Sequence, residues 1–391
     1  MAEFPKKLQN KLGYRVMNNA LREMPISDFS LKSSLIDFSS NDYLGFASSE
    51  EIFKEVSQVL NDENLFQNGA TGARLLSGNT CLHIEVETML SEFYKMESAL
   101  IFNSGYDANI GFFSSVPQRG DIVFYDGYIH ASIRDGIRLG KAKNYKFDHN
   151  SLEDLDKVIA RSRKGMSKDC EIYVVTESVF SMDGDSPDLV AIAAYCNENS
   201  YHLVVDEAHA VGVFGSNGEG LVQELGIQNQ VFAQIVTFGK AMGCHGAAIL
   251  GSVSLKSFLV NFARSFIYTT ALPPHSLATI KVAYTCLSSN SDGEQKRRKL
   301  HENITYFKEQ LKELNLNSYF IESNSSIHCC IVSGNEKVKN IAKELEKKGF
   351  VIMPILSPTV AEGEERLRFC IHTYNTKDEI RLLLNFLTEL I

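Results

Sequence analysis

Short apolar runs rich in β-branched and aromatic residues recur along this 391-residue chain, each bounded by Gly, Asp, Asn or Ser and separated from the next by a helical stretch. The runs are Ala99–Phe102, Asp121–Tyr125, Glu171–Thr176, Tyr201–Asp206, Val231–Phe238 and Ala247–Leu250, while Leu152–Ile159 and Leu189–Cys196 carry helical periodicity. Strands that alternate with helices predict an α/β fold with a mostly parallel sheet, because parallel neighbours need a crossover and the crossover helices then cover both faces. Ligands in such sheets sit beyond the carboxyl ends of the strands. From about residue 290 the pattern changes to polar helices, Asp292–Leu314 and Asn335–Lys348, alternating with strands at Ile327–Val332 and Arg366–Ile371. This predicts a smaller α+β domain over 289–391, behind a large domain over 45–288 and an N-terminal arm, 1–44, whose helix and strand dock elsewhere. No internal repeat or low-complexity segment is visible.

Composition removes several functional classes. With 44% apolar and 22% charged residues the chain reads as an ordinary globular protein. A formal net charge of −9 argues against nonspecific nucleic-acid binding, and the basic cluster Lys296–Lys299 reads as a solvated helix face. The eight cysteines are scattered without CxxC spacing, so neither a disulfide framework nor a metal site is expected. The start, Met1-Ala-Glu-Phe-Pro-Lys-Lys, lacks an apolar leader core, and no run of roughly 18 apolar residues occurs. Cytoplasmic residence without a membrane span is the expectation.

Two strand ends carry the chemistry. Asp206-Glu-Ala-His209 closes the run Tyr201–Val205, and Thr237-Phe-Gly-Lys240 follows a second apolar run, so an aspartate, a histidine and a lysine converge at one edge of the sheet. A lysine amine there can form a Schiff base with the aldehyde of pyridoxal phosphate, and a buried aspartate can keep the pyridine nitrogen protonated so that the ring accepts electrons. Taken singly, each residue has a plainer reading: Lys240 as a surface cation, Asp206 as a helix cap or core ion pair, and His209 as a turn histidine. The small residues Gly239, Ala241 and Gly243 beside Lys240 suit close approach of a planar ligand. Asn103-Ser-Gly105-Tyr106-Asp-Ala-Asn109 follows a strand and opens a helix, where backbone amides can hold a phosphate and Gly105 permits the tight turn. Both the Walker loop and the GxGxxG dinucleotide fingerprint are missing.

In order along the chain, several further motifs join these: Asn41-Asp-Tyr-Leu-Gly45, Gly69–Gly78, Ile129-His-Ala-Ser132, Thr176–Asp185, Phe266–Pro274, Ser357-Pro-Thr-Val360 and Arg366-Leu-Arg368. The series resembles the α-oxoamine synthases, pyridoxal-phosphate enzymes of the fold type I transferases, over nearly the full length. The resemblance implies that Lys240 anchors the cofactor, Asp206 pairs with its ring nitrogen, His130 stacks on the ring, and His209 and Ser181 contact it. It further implies that Gly105 and Tyr106 line the site, Thr237 reaches the phosphate, and Thr269 or Thr270 contributes from a neighbouring subunit of a homodimer. Arg368 matches the binder of the amino-acid carboxylate, although alternation along a strand sends Arg366 to the same face. Arg22 and Thr359 match positions near the acyl substrate, and Asn41 and Glu177 shape the amino-acid site.

The family joins an amino acid to an acyl thioester with loss of carbon dioxide, and fold cannot separate its members. The motifs around Phe180–Asp185, Lys240 and Ser357–Val360 favour L-alanine with a pimeloyl thioester, a step toward biotin, with coenzyme A or acyl carrier protein as the acyl bearer. Glycine with acetyl or succinyl donors and serine with a long-chain acyl donor are the alternatives. Glu207, where an aspartate is common in the favoured branch, points toward the serine branch. Outside the family, a noncatalytic partner subunit is opposed by the presence of Lys240, and a nicotinamide oxidoreductase by the missing fingerprint.

Overall fold

The computed structural model describes residues 4–18, 20–22, 24, 35–162, 167, 169–289 and 292–391. The chain divides into two compact units, one of Asn41–Ser181 with Ser186–Lys299 and the other of Met1–Ser40, Met182–Asp185 and Leu300–Ile391.

The first unit is built on seven strands: β1 Ser98–Phe102, β2 Ile122–Asp126, β3 Lys143–Phe147, β4 Ile172–Glu177, β5 His202–Asp206, β6 Ala233–Thr237 and β7 Ala247–Gly251. Their order across the sheet is β1-β7-β6-β5-β4-β2-β3. All neighbours pair in parallel except around β7, which runs antiparallel to both β1 and β6. Strands β1, β4 and β7 are buried along their whole length, which is why they read as unbroken apolar runs rather than alternating ones. Strand β3, Lys-Asn-Tyr-Lys-Phe, escaped the sequence pattern. It is the edge strand and exposes its first four residues, so burial imposes no apolar run there and its lysines blunt an open edge.

Helix α1, Gly105–Ser115, and helix α2, Ala131–Leu139, bring Phe112, Phe113, Ile133 and Ile137 onto a core shared with Leu100, Val175, Val204, Ile235 and Ile249. The two helices meet closely at Gly136, where an added Cβ would lie 2.7 Å from the Asn109 carbonyl oxygen. A glycine at this crossing sets how near α2 comes to α1, and so where the Asn109 side chain stands. Ser104 caps α1 through the Asp107 amide, leaving the first-turn amides of Gly105 and Tyr106 without intrahelical partners.

The second unit holds an antiparallel sheet in the order Met353–Ile355, Arg366–Cys370, Ile327–Ile331, and a short parallel pair, Ile36–Asp37 with Phe350–Val351. Helices Asn335–Lys347 and Lys377–Thr388 bury Val338, Ile341, Leu345, Ile380, Leu383 and Leu387. Asn303 ties two turns together by donating to the carbonyls of His372 and Asn375. Among the described residues no helix is long and apolar enough to cross a membrane.

Candidate active site

Register brings the carboxyl ends of β4, β5 and β6 together: Glu177 is the partner of Asp206, and Asp206 of Ile235, two residues before Thr237. A cavity of about 290 Å³ opens there, lined by Asn41, Gly105, Tyr106, His130, Glu177, Ser181, Asp206, His209, Thr237 and Lys240. Every residue of this unit that the family resemblance assigns to the cofactor, apart from Thr269 and Thr270, therefore borders one space. A larger cleft of about 860 Å³ lies in the other unit, against the N-terminal helix, and gathers no comparable set of acid, base and nucleophile.

Asp206 is 5% exposed, and its carboxylate accepts from the Ala208 amide at 3.0 Å and from Asn109 Nδ2 at 3.0 Å. Its register partner Glu177 is pushed well above the usual carboxylate range, first by burial and then by the Asp206 charge. Burial and that neighbouring charge favour the protonated form of Glu177. The Glu177 Oε1 atom accepts the His130 amide at 2.5 Å, which fixes the start of α2. His130 is held below 6.5, chiefly by burial, with Asp206 pulling the other way, so its ring is a neutral face on the cavity wall.

Lys240 Nζ lies 2.5 Å from His209 Nε2, and His209 Nδ1 lies 2.8 Å from the Tyr43 hydroxyl, which donates to Asn41 Oδ1 at 3.1 Å. The amine is thus aimed by an imidazole that is itself oriented from behind. Tyr43 sits inside the Asn41–Gly45 motif but received no role from sequence, because nothing local tells which of its residues turns inward.

At the opposite end of the cavity the Thr237 hydroxyl is buried without a hydrogen-bond partner. It faces the start of α1, where an added Cβ on Gly105 would come within 2.6 Å of Thr237 Cγ2. Gly105 does not have a positive φ, so the glycine serves close approach and not the tight turn expected from sequence. An orphaned hydroxyl beside two free helix-start amides fits a phosphate oxygen. With an anchoring amine and a buried carboxylate elsewhere in the same cavity, the donor set fits pyridoxal phosphate. Gly243, expected to clear space for a planar ligand, instead turns the chain at φ 62°, and an added Cβ would meet the Ala47 amide at 2.2 Å.

Other expected residues lie apart from this cavity. Asn103 Nδ2 donates to Thr269 Oγ1 at 3.0 Å and to the Thr270 carbonyl at 2.7 Å, leaving the Thr270 side chain on an exposed residue. In the second unit Arg22 Nη2 donates to Thr359 Oγ1 at 3.3 Å, joining the two positions assigned to the acyl substrate. Arg366 is bound to Asp183, while Arg368, also buried, donates to Cys370 Sγ at 3.1 Å. Sequence reasoning gave no role to Asn109 or Ser132, both buried beside Asp206 and His130. A polar Asn109 on the face of α1 that also carries Phe112 and Phe113 was the available signal.

Glu207 points away from the cavity. It is fully buried and accepts the amides of Leu221 and Val222 at 2.9 and 3.2 Å, capping a helical turn. Burial raises its pKa from 4.5 to about 8. A carboxyl whose folded pKa is raised contributes stability that is complete below about pH 4.5 and is lost as pH rises through about 8. The wild-type unfolding free energy should therefore fall between pH 5 and 8 by on the order of 1 kcal/mol per pH unit more than that of Glu207→Gln. Parallel melting curves for the two proteins across that window would refute the buried proton.

A family model described as aminotransferase class I and II matches residues 33–387. The chain is 40% identical over 369 residues to the 8-amino-7-oxononanoate synthase of Emericella nidulans, covering 90% of this chain and 89% of that protein. It is similar to the crystal structure of 8-amino-7-oxononanoate synthase from Francisella tularensis, with TM-score 0.75 and 29% identity over 91% of this chain and 97% of that one. A serine palmitoyltransferase variant from S. paucimobilis with a bound PLP–myriocin aldimine matches with TM-score 0.87 and 27% identity, over 98% of this chain and 96% of that one.

Proposed function

Since this chain belongs to the class I and II aminotransferase family and, within it, to the α-oxoamine synthases, we propose that it joins L-alanine to a pimeloyl thioester, releasing carbon dioxide and free thiol to give 8-amino-7-oxononanoate in biotin synthesis. The observation that carries the reading is the single cavity bordered by Lys240, Asp206, His130 and His209. Bound pyridoxal phosphate supplies an electron sink for negative charge developed at the amino-acid Cα. Lys240 would be the cofactor's covalent anchor, and its amine would hold and return the proton of the amino-acid Cα. Its partner His209 holds the amine toward the cavity. Asp206 would pair with the ring nitrogen, and Thr237 with the amides of Gly105 and Tyr106 would take the phosphate. Ser181 and the neutral ring of His130 complete the walls.

Arg368 is assigned the amino-acid carboxylate on the family motif Arg366-Leu-Arg368, and Arg366 is bound to Asp183. Arg22 and Thr359, already hydrogen-bonded to each other, are assigned to the acyl substrate. In a homodimer Thr269 or Thr270 offers its hydroxyl to the neighbouring subunit's phosphate. The cytoplasm is the proposed compartment.

The choice of alanine and a pimeloyl donor rests on the greater identity to proteins named 8-amino-7-oxononanoate synthase, 40% against 27% for the serine palmitoyltransferase, although the latter superposes better. Backbone similarity does not carry substrate choice. The test is a matrix of alanine, glycine and serine against pimeloyl, acetyl, succinyl and palmitoyl thioesters on coenzyme A and on acyl carrier protein, read as thiol release. Alanine with a pimeloyl donor should be fastest by at least about tenfold, as expected for a pocket that pairs the right polar and apolar groups. A faster rate with serine and palmitoyl-CoA would reassign the protein.

A further inference from the structure

Along the cavity wall a chain of buried polar groups links the two sides of the site. Asn109 Nδ2 donates both of its hydrogens, one to Asp206 Oδ2 at 3.0 Å and one to Ser132 Oγ at 3.0 Å. The reversed amide would set its oxygen against a carboxylate, so the orientation is dictated by charge. Ser132 Oγ already accepts from Asn109, and its own hydrogen goes to His130 Nδ1, 2.7 Å away. The Ser132 amide reaches the same ring nitrogen at 3.2 Å. With two donors converging on it, His130 Nδ1 is an acceptor, and the ring's hydrogen stays on Nε2. Asn109 is 2% exposed and Ser132 is fully buried, so water does not compete for these bonds.

We propose that Asn109 is a positioning residue that, through direct donation to Asp206 and through Ser132 to His130, fixes both the carboxylate and the imidazole tautomer that face the cofactor. The proposal deepens the reading above and rests on it. A donor to a buried carboxylate stabilises its charged form, and its loss favours protonation. The charged and titratable groups facing Asp206 are His130 from α2, Glu177 from β4, Glu207 beside it in the chain, and Lys240 from the segment after β6. Asn109 is the neutral donor among them. It supports the charge of Asp206 without adding a second one.

The test titrates pyridoxal phosphate into the full-length wild type, Asn109→Leu, Ser132→Ala and Ser132→Thr across about pH 5 to 9, following the visible band rather than turnover. Asn109→Leu should bind about tenfold more weakly at neutral pH, as expected for one lost hydrogen bond to a charged group. Its acid limb of binding should also rise by about one pH unit. Ser132→Ala should leave that limb in place but alter the nitrogen-15 signals of the His130 ring, and Ser132→Thr should restore them. A purely structural role would lower the melting temperature of Asn109→Leu without moving its limb, and that result overturns the proposal. So do His130 signals unchanged in Ser132→Ala. A wild type that forms no visible band overturns the cofactor reading together with this one, whereas a normal wild-type band with an unmoved Asn109→Leu limb removes Asn109 alone.

Discussion

Replacing Lys240 with alanine should abolish the borohydride-sensitive visible band formed with pyridoxal phosphate and reduce thiol release by at least about 10³-fold, within the range for loss of an essential acid–base and nucleophilic group. Lys240 approaches His209 Nε2 at 2.5 Å on the cavity wall, so its amine is oriented before any ligand arrives. Alanine removes the covalent anchor and the proton carrier together. A second variant, Lys240→Arg, separates charge from chemistry, because a guanidinium stays protonated and does not act as the nucleophile. It should retain cofactor binding through the phosphate contacts yet show neither the band nor turnover. Thiol release within tenfold of wild type in either variant would remove Lys240 from the centre of the mechanism.

Asp206→Asn should leave the fold intact and the anchor in place but cut turnover by about 10³-fold, mid-range for one positioned acid–base group. Asp206 is buried at this strand end, with the Ala208 amide and Asn109 Nδ2 donating to its carboxyl oxygens. An amide of the same shape still accepts from Ala208, but it no longer opposes a cationic ring nitrogen, and its NH₂ edge conflicts with Asn109 Nδ2. Spectra should therefore show cofactor bound and anchored while the exchange of the alanine Cα proton for deuterium slows in parallel with turnover. Exchange at the wild-type rate would mean that electron withdrawal by the ring does not depend on Asp206.

Much of the large sheet was legible because burial on both faces writes itself into a strand as a continuous apolar run. Strand β5 ends in Asp206, as its apolar run predicts, whereas β4 runs to Glu177, one residue past the expected end at Thr176. The edge strand Lys143–Phe147 was not, because solvent on its open side lets lysine and asparagine occupy it. The same divide holds in the site. Lys240, Asp206 and His209 stand out because their chemistry is uncommon beside apolar strands, and His130 comes only from the family resemblance. Asn109, Ser132 and Tyr43 do not, because amides and hydroxyls occur throughout any sequence and acquire meaning from the atom opposite them.

By itself the sequence determined the alternation of strand and helix and the residue types at the strand ends, which follow from local periodicity and chemistry, and the family, which its ordered series of motifs resembles. Only the tertiary structure decided which hydrogen bonds orient those groups: Asn109 to Asp206 and Ser132, His209 to Tyr43 and Lys240, and Arg366 to Asp183. The reason is distance along the chain, for Asn109 and Asp206 are 97 residues apart and Tyr43 and His209 are 166 apart. Bonds across such separations depend on strand register and helix packing, which no local window of residues contains.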